Sequence, residues 1–124
     1  MADIEERPWG TFEILESTDD YVIKRIVVNP KQQLSLQKHA KRSETWTVVS
    51  GEGVAIADQL YENNPAQRKM KVGWILKIPV GYVHRMMNRT DHPLVFIEVQ
   101  TGEAFEEDDI LRFEDDYGRS GTTN

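Results

Sequence analysis

The feature that most constrains this chain is a repeating pattern of short β-branched or alternating runs, each cut off by a turn signal. The run from Tyr21 to Val28 stops at Asn29-Pro30. Leu34-Ser35-Leu36-Gln37 alternates, and the run from Glu44 to Val49 meets Ser50-Gly51-Glu52-Gly53. Gly53 to Ala57 reads as the next strand. Trp74 to Ile78 ends at Pro79 and Gly81, and Pro93 to Gln100 ends at Thr101-Gly102. No long stretch carries a 3.6-residue period, so the expected fold is all-β, a sandwich or barrel. Two local departures are expected: a short helix over Phe105 to Leu111 and an exposed hairpin loop over Tyr61 to Lys71, which holds Pro65. Trp9, Trp46 and Trp74 are expected in the core.

At 124 residues the chain is expected to form a single domain, 1–124, with a substantial core. The net charge of −6 argues against broad contact with nucleic-acid phosphates or anionic membranes. Much of the acid lies late in the chain, from Glu103 to Asp116, and reads mostly as solvated surface. The absence of cysteine excludes disulfides, thiolate catalysis and thiolate zinc sites. The acidic start, Met1 to Arg7, lacks the apolar run of a signal peptide. No segment approaches the ~20 apolar residues of a membrane helix. A cytoplasmic location is therefore the default expectation.

One constellation carries chemistry. Gln37 and His39 are two apart, so on a strand they face the same side. Glu44 follows after a short bend, and His84 follows the turn at Pro79-Val80-Gly81. One amide oxygen, two imidazoles and one carboxylate suit a divalent metal. The plainer reading is a pair of hydrogen-bonded core histidines and a turn-capping glutamate. His92, between Asp91 and Pro93, is given no role.

The two segments resemble the two cupin motifs. Gln37 stands at the first histidine position of the first motif, His39 at the second, and Glu44 and Gly51 follow at the motif's distances. The leading glycine is replaced near Lys31-Gln32. Pro79, Gly81, His84 and Asn88 match the second motif. The resemblance implies a double-stranded β-helix (jelly-roll) barrel with metal ligands Gln37, His39, Glu44 and His84. A narrower resemblance, over about residues 7 to 119, is to the type II mannose-6-phosphate isomerase family. It rests on Arg7-Pro8-Trp9-Gly10, Lys24 to Val28, Leu34 to Gln37, Arg42-x-Glu44-x-Trp46, Ile97 to Gly102 and Arg112 to Arg119. That unit commonly forms the C-terminal part of enzymes that also carry a mannose-1-phosphate guanylyltransferase, and a stand-alone version is expected here. Lys38, Ala40 and Lys41 depart from a family pattern richer in histidine, and the stretch from Asp58 to Gly73 looks longer and more basic.

The resemblance implies interconversion of mannose 6-phosphate and fructose 6-phosphate. A divalent ion, zinc first among them, would hold O1 and O2 of the opened sugar and stabilise an enediolate. Arg42, close to the ligands in sequence, is the first candidate for the phosphate, followed by Arg119 and Lys24. The Asp115 to Arg119 ending is expected to fold back across the barrel mouth. Glu98 is the candidate base, with a paired structural carboxylate as its alternative reading. A homodimer joined through edge strands is expected. The alternative function is a non-catalytic cupin that binds a sugar or sugar phosphate. An iron-dependent dioxygenase is disfavoured because Gln37 replaces a histidine.

Overall fold

The computed structural model describes residues 4–118. The first half of the chain supplies β1 (Ile4–Arg7), β2 (Gly10–Ser17), β3 (Tyr21–Val28), β4 (Leu36–Lys38) and β5 (Arg42–Ser50). The second half supplies β6 (Gly53–Asp58), β7 (Arg68–Met70), β8 (Ile75–Ile78), β9 (Val83–Met87), β10 (Leu94–Gly102) and β11 (Leu111–Glu114). All pair antiparallel into two sheets, one ordered β1-β2-β3-β10-β5-β8 and the other β11-β4-β9-β6-β7. No helix of the described residues is long and apolar enough to cross a membrane.

The core lies between the sheets. Phe12, Ile26, Trp46 and Phe96 from the larger sheet meet Ala55 and Met86 from the smaller. Strand alternation explains this. On β5, Arg42, Glu44, Trp46 and Val48 are buried while the residues between them are half-exposed. On β3 the buried set is Val22, Lys24, Ile26 and Val28. The inward face is therefore apolar at one end and polar at the other, where Lys24, Arg42, Glu44, Glu98 and Gln100 gather. Register fixes these neighbours: Glu98 stands opposite Lys24 on one side and Trp46 on the other.

Two turns need glycine. Gly51 closes the β5–β6 hairpin at φ 81°, and a Cβ there would lie 2.5 Å from the Pro93 carbonyl oxygen. Gly81 adopts φ 82° in the turn before β9, and its N–H donates to the His39 carbonyl at 2.9 Å. The two sequence motifs thus touch through the backbone. Asn88 ties the end of β9, its amide donating to the carbonyls of Val28 (3.0 Å) and His92 (2.7 Å).

Some local expectations change. The helix over Phe105 to Leu111 does not form. That stretch is irregular, with a turn closed from Asp109 N–H to the Glu106 carbonyl, and it leads into β11. Its polar groups are taken up by tertiary partners: Arg42 donates to the Glu106 carbonyl, and the Asp109 carboxylate caps the Ala40 and Lys41 amides at 2.9 Å. Several of the late acids are therefore structural rather than merely solvated. Within the polar loop after β6, Arg68 to Met70 pair with β6 as a strand, so the hairpin is present with a shorter loop. Trp9 and Trp46 are buried, but Trp74 is 51% exposed because it precedes the edge strand β8. At the other end Tyr117 packs back against the core, its hydroxyl donating to Gln32.

Candidate metal centre

His39 follows β4 directly, His84 sits on β9, and Glu44 projects from β5 of the opposite sheet. One ligand atom from each lies within 4.8 Å of the others, and all three residues are buried. His39 Nε2 is 3.1 Å from Glu44 Oε2, and His84 Nε2 is 3.5 Å from Glu44 Oε1. Each imidazole is held from behind. His39 Nδ1 lies against the Asp109 carbonyl, and His84 Nδ1 lies 2.9 Å from the Tyr82 carbonyl. A ring that donates from Nδ1 turns an Nε2 lone pair forward, the arrangement that orients metal-ligating histidines. Among the described residues, His84 Nε2 is buried with no hydrogen-bond partner. Arg42 already sets a guanidinium beside Glu44 Oε2 and His39 Nε2, so the open place for a cation, either a proton or a metal, is between His84 Nε2 and Glu44 Oε1.

The electrostatics agree with that donor set. Burial pushes the His84 imidazole down to about 4, against the pull of Glu44, so it is neutral and able to ligate near neutral pH. Burial alone would raise the Glu44 carboxyl. The His39 hydrogen bond and the His84 and His39 charges outweigh it, holding the group well below the usual carboxylate range. Arg42 Nε also donates to Glu44 Oε2 at 3.1 Å. A deprotonated carboxylate and a neutral imidazole are the forms that bind a metal. Gln37, in register with His84 across β4 and β9, lines the same cleft.

Glu98 lines the same cleft. Trp46 Nε1 donates to its Oε1 at 2.9 Å, and Gln100 Nε2 donates to its Oε2 at 2.7 Å. Burial, then the negative charge of Glu44, pushes the Glu98 carboxyl up to about 7. Among the proposed phosphate partners, Arg42 is buried and engaged with Glu44 and the Glu106 carbonyl. Lys24 reaches the cleft wall and pairs with Glu107 at 2.9 Å. Arg119 lies outside the described residues. The cleft adds two cations that sequence reasoning missed as site residues, Arg7 from β1 and Arg112 from β11. Both come from edge strands, and no short spacing in the chain ties them to the histidines.

Two antiparallel sheets enclosing a His–Glu–His triad on the two-motif spacing define a cupin. The chain belongs to the mannose-6-phosphate isomerase C-terminal family, whose sequence model matches residues 3–115. It is 42% identical over 118 residues to the xanthan biosynthesis protein XanB of Xanthomonas campestris pv. campestris (strain B100), covering 92% of this chain and 23% of that protein. It is 39% identical over 116 residues to the mannose-1-phosphate guanylyltransferase of Escherichia coli (strain K12), covering 91% of this chain and 22% of that one. The chain thus spans less than a quarter of the length of either relative. Among solved structures, the capsular polysaccharide assembling protein CapF from Staphylococcus aureus superposes with a TM-score of 0.79 at 22% identity, over 93% of this chain and 35% of that chain. A cupin-2 domain from Rhodospirillum rubrum superposes with a TM-score of 0.69 at 17% identity, over 85% of this chain and 72% of that chain.

Proposed function

We propose that this chain is a divalent-metal-dependent isomerase acting in the cytoplasm on mannose 6-phosphate and fructose 6-phosphate. The observation that carries the reading is the pair of imidazoles that turn Nε2 toward Glu44, with His84 Nε2 buried and unpartnered among the described residues. Membership of the isomerase family supports the substrate class. Gln37, His39, Glu44 and His84 are the proposed ligands, and their nitrogen and oxygen donors suit zinc first. When bound, such an ion polarises a sugar carbonyl as a Lewis acid.

The chain's own groups supply the rest. Aldose–ketose exchange moves a proton between neighbouring carbons, and Glu98 is the proposed carrier. Trp46 and Gln100 fix both of its oxygens, so the carboxyl is oriented in advance. Arg42, Lys24 and Arg119 are the proposed cations for the phosphate.

A coupled isomerase assay on metal-loaded protein, run with several hexose phosphates, tests the proposal. Turnover of mannose 6-phosphate is expected. Elemental analysis should show a bound divalent ion in the native chain and strong depletion in His39→Ala and His84→Ala. Unchanged metal content in both variants would remove these residues from the site. Saturable binding of the sugar phosphate without turnover would replace the isomerase with a non-catalytic binding module.

A further inference from the structure

The rim of the cleft carries a charge arrangement that the metal centre does not use. Lys24 has a side chain only 8% exposed, and its ammonium sits 4.3 Å from the centre of the Phe12 ring. The Arg7 guanidinium stands 4.7 Å from the same ring, and both cations line the cleft. A buried ammonium needs a counter-charge. Among the described residues the ion pair of Lys24 is with Glu107, at 2.9 Å, on the irregular stretch between β10 and β11, while Glu98 stands in register with it on β10.

We infer that Lys24 and Arg7 form a phosphate seat at the cleft rim, that Glu107 holds this seat in the structure, and that a phosphate monoester takes it by displacing the carboxylate. The inference rests on the sugar-phosphate reading for its ligand class. Three observations support it. The Glu107 side chain is 58% exposed, so its carboxylate has room to swing into water, and an incoming phosphate keeps the buried Lys24 ammonium paired as the carboxylate leaves. Burial would raise its carboxyl, yet the Lys24 charge and hydrogen bond, then the charges of Arg42 and Arg7, hold it below the usual range, so Glu107 sits in a locally positive field. A phosphate brings more charge and more acceptor oxygens to that spot than a carboxylate does.

The seat and Glu44 lie apart on the same sheet. Lys24 is in register with Glu98, and Glu98 with Trp46 on the strand that carries Glu44. Lys24 therefore stands two strand spacings, about 10 Å, from β5. Glu44 lies one inward position further along β5, level with Gln100, so the seat and the triad stand apart within one cleft, as the two ends of a sugar phosphate do. The same stretch that carries Glu107 also meets the centre, through Glu106 with Arg42 and Asp109 with His39. Filling the seat thus acts on a segment that touches the ligands.

Isothermal titration of inorganic phosphate into the full chain at fixed ionic strength tests the seat without turnover. Glu107→Gln removes the competitor and is expected to bind phosphate roughly three- to tenfold more tightly. Lys24→Met is expected to bind it about tenfold more weakly or worse, the loss of one charge-assisted contact. Should Lys24→Met fail to fold, Arg7→Gln, altered at a more exposed side chain, is expected to weaken binding about threefold. Unchanged or weaker affinity in Glu107→Gln, indifference to the loss of either cation, or no phosphate binding by any variant would overturn the seat. The isomerase proposal fails or stands separately. Tighter binding in Glu107→Gln with no hexose phosphate turned over keeps the seat and removes the enzyme, and turnover with phosphate affinity insensitive to all three changes does the reverse.

Discussion

At the scale of single residues, Arg42 shows how a side chain can be placed near a site and yet be committed within it. Its Nε and one terminal nitrogen are engaged with Glu44 and the Glu106 carbonyl, and it is buried. Arg42→Ala should therefore destabilise the fold as well as any activity, by about 1.5–3 kcal/mol, because the buried Glu44 carboxylate loses one charge-assisted partner while keeping His39 and Trp46. Urea denaturation checks this, and a loss below about 1 kcal/mol would mean that the pair contributes nothing net. Glu107 gives a pH prediction with a definite sign. Its carboxyl is lower in the folded chain than in the unfolded one, so its stabilisation is complete above about 4.3 and is lost as pH falls through the folded value. Glu107→Gln should flatten the stability profile of the native protein in that acid range. His39, Glu44 and His84 were legible from sequence because short fixed spacings carry them. Arg7 and Glu107 were not, since register across β1 and β2 sets Arg7 on the Phe12 ring and a long irregular connection brings Glu107 to Lys24.

At the scale of elements, the strands followed from alternation and the turns from glycine and proline, because each depends on neighbours along the chain. Gly51 is the sharpest case, its left-handed backbone and the nearby Pro93 carbonyl leaving no room for a side chain. Gly51→Ala should cost at least about 1–3 kcal/mol, read as a lower urea midpoint with an unchanged slope. The stretch from Phe105 to Leu111 shows where local reasoning stops. It is expected as a short helix and its acids as solvated surface, yet Lys24, Arg42 and the Ala40 and Lys41 amides bind it as an irregular strap. None of those partners is close in sequence. Trp74 is the reverse case. Its apolar surroundings suggested burial, but β8 is the sheet's last strand and has no neighbour to cover it.

At the scale of the whole molecule, that uncovered edge is the natural place for the expected homodimer. Val72, Trp74 and Ile75 are exposed together beside β8, and edge strands pair readily with a second copy. Equilibrium sedimentation at micromolar concentration should report a dimer, and Ile75→Lys should shift it toward monomer. A native chain that stays monomeric there would remove the edge as an interface.

The division of the triad between the sheets has a further consequence. His39 and His84 belong to the smaller sheet's side and Glu44 to the larger, so a cation held by all three would latch one layer to the other. Such a latch closes only after distant strands have met, late in folding, when most non-local pairing is complete. A bond formed that late slows escape from the native state far more than it speeds arrival. The centre would then govern the chain's lifetime as well as its chemistry, and loss of the ion would shorten that lifetime before it altered the architecture.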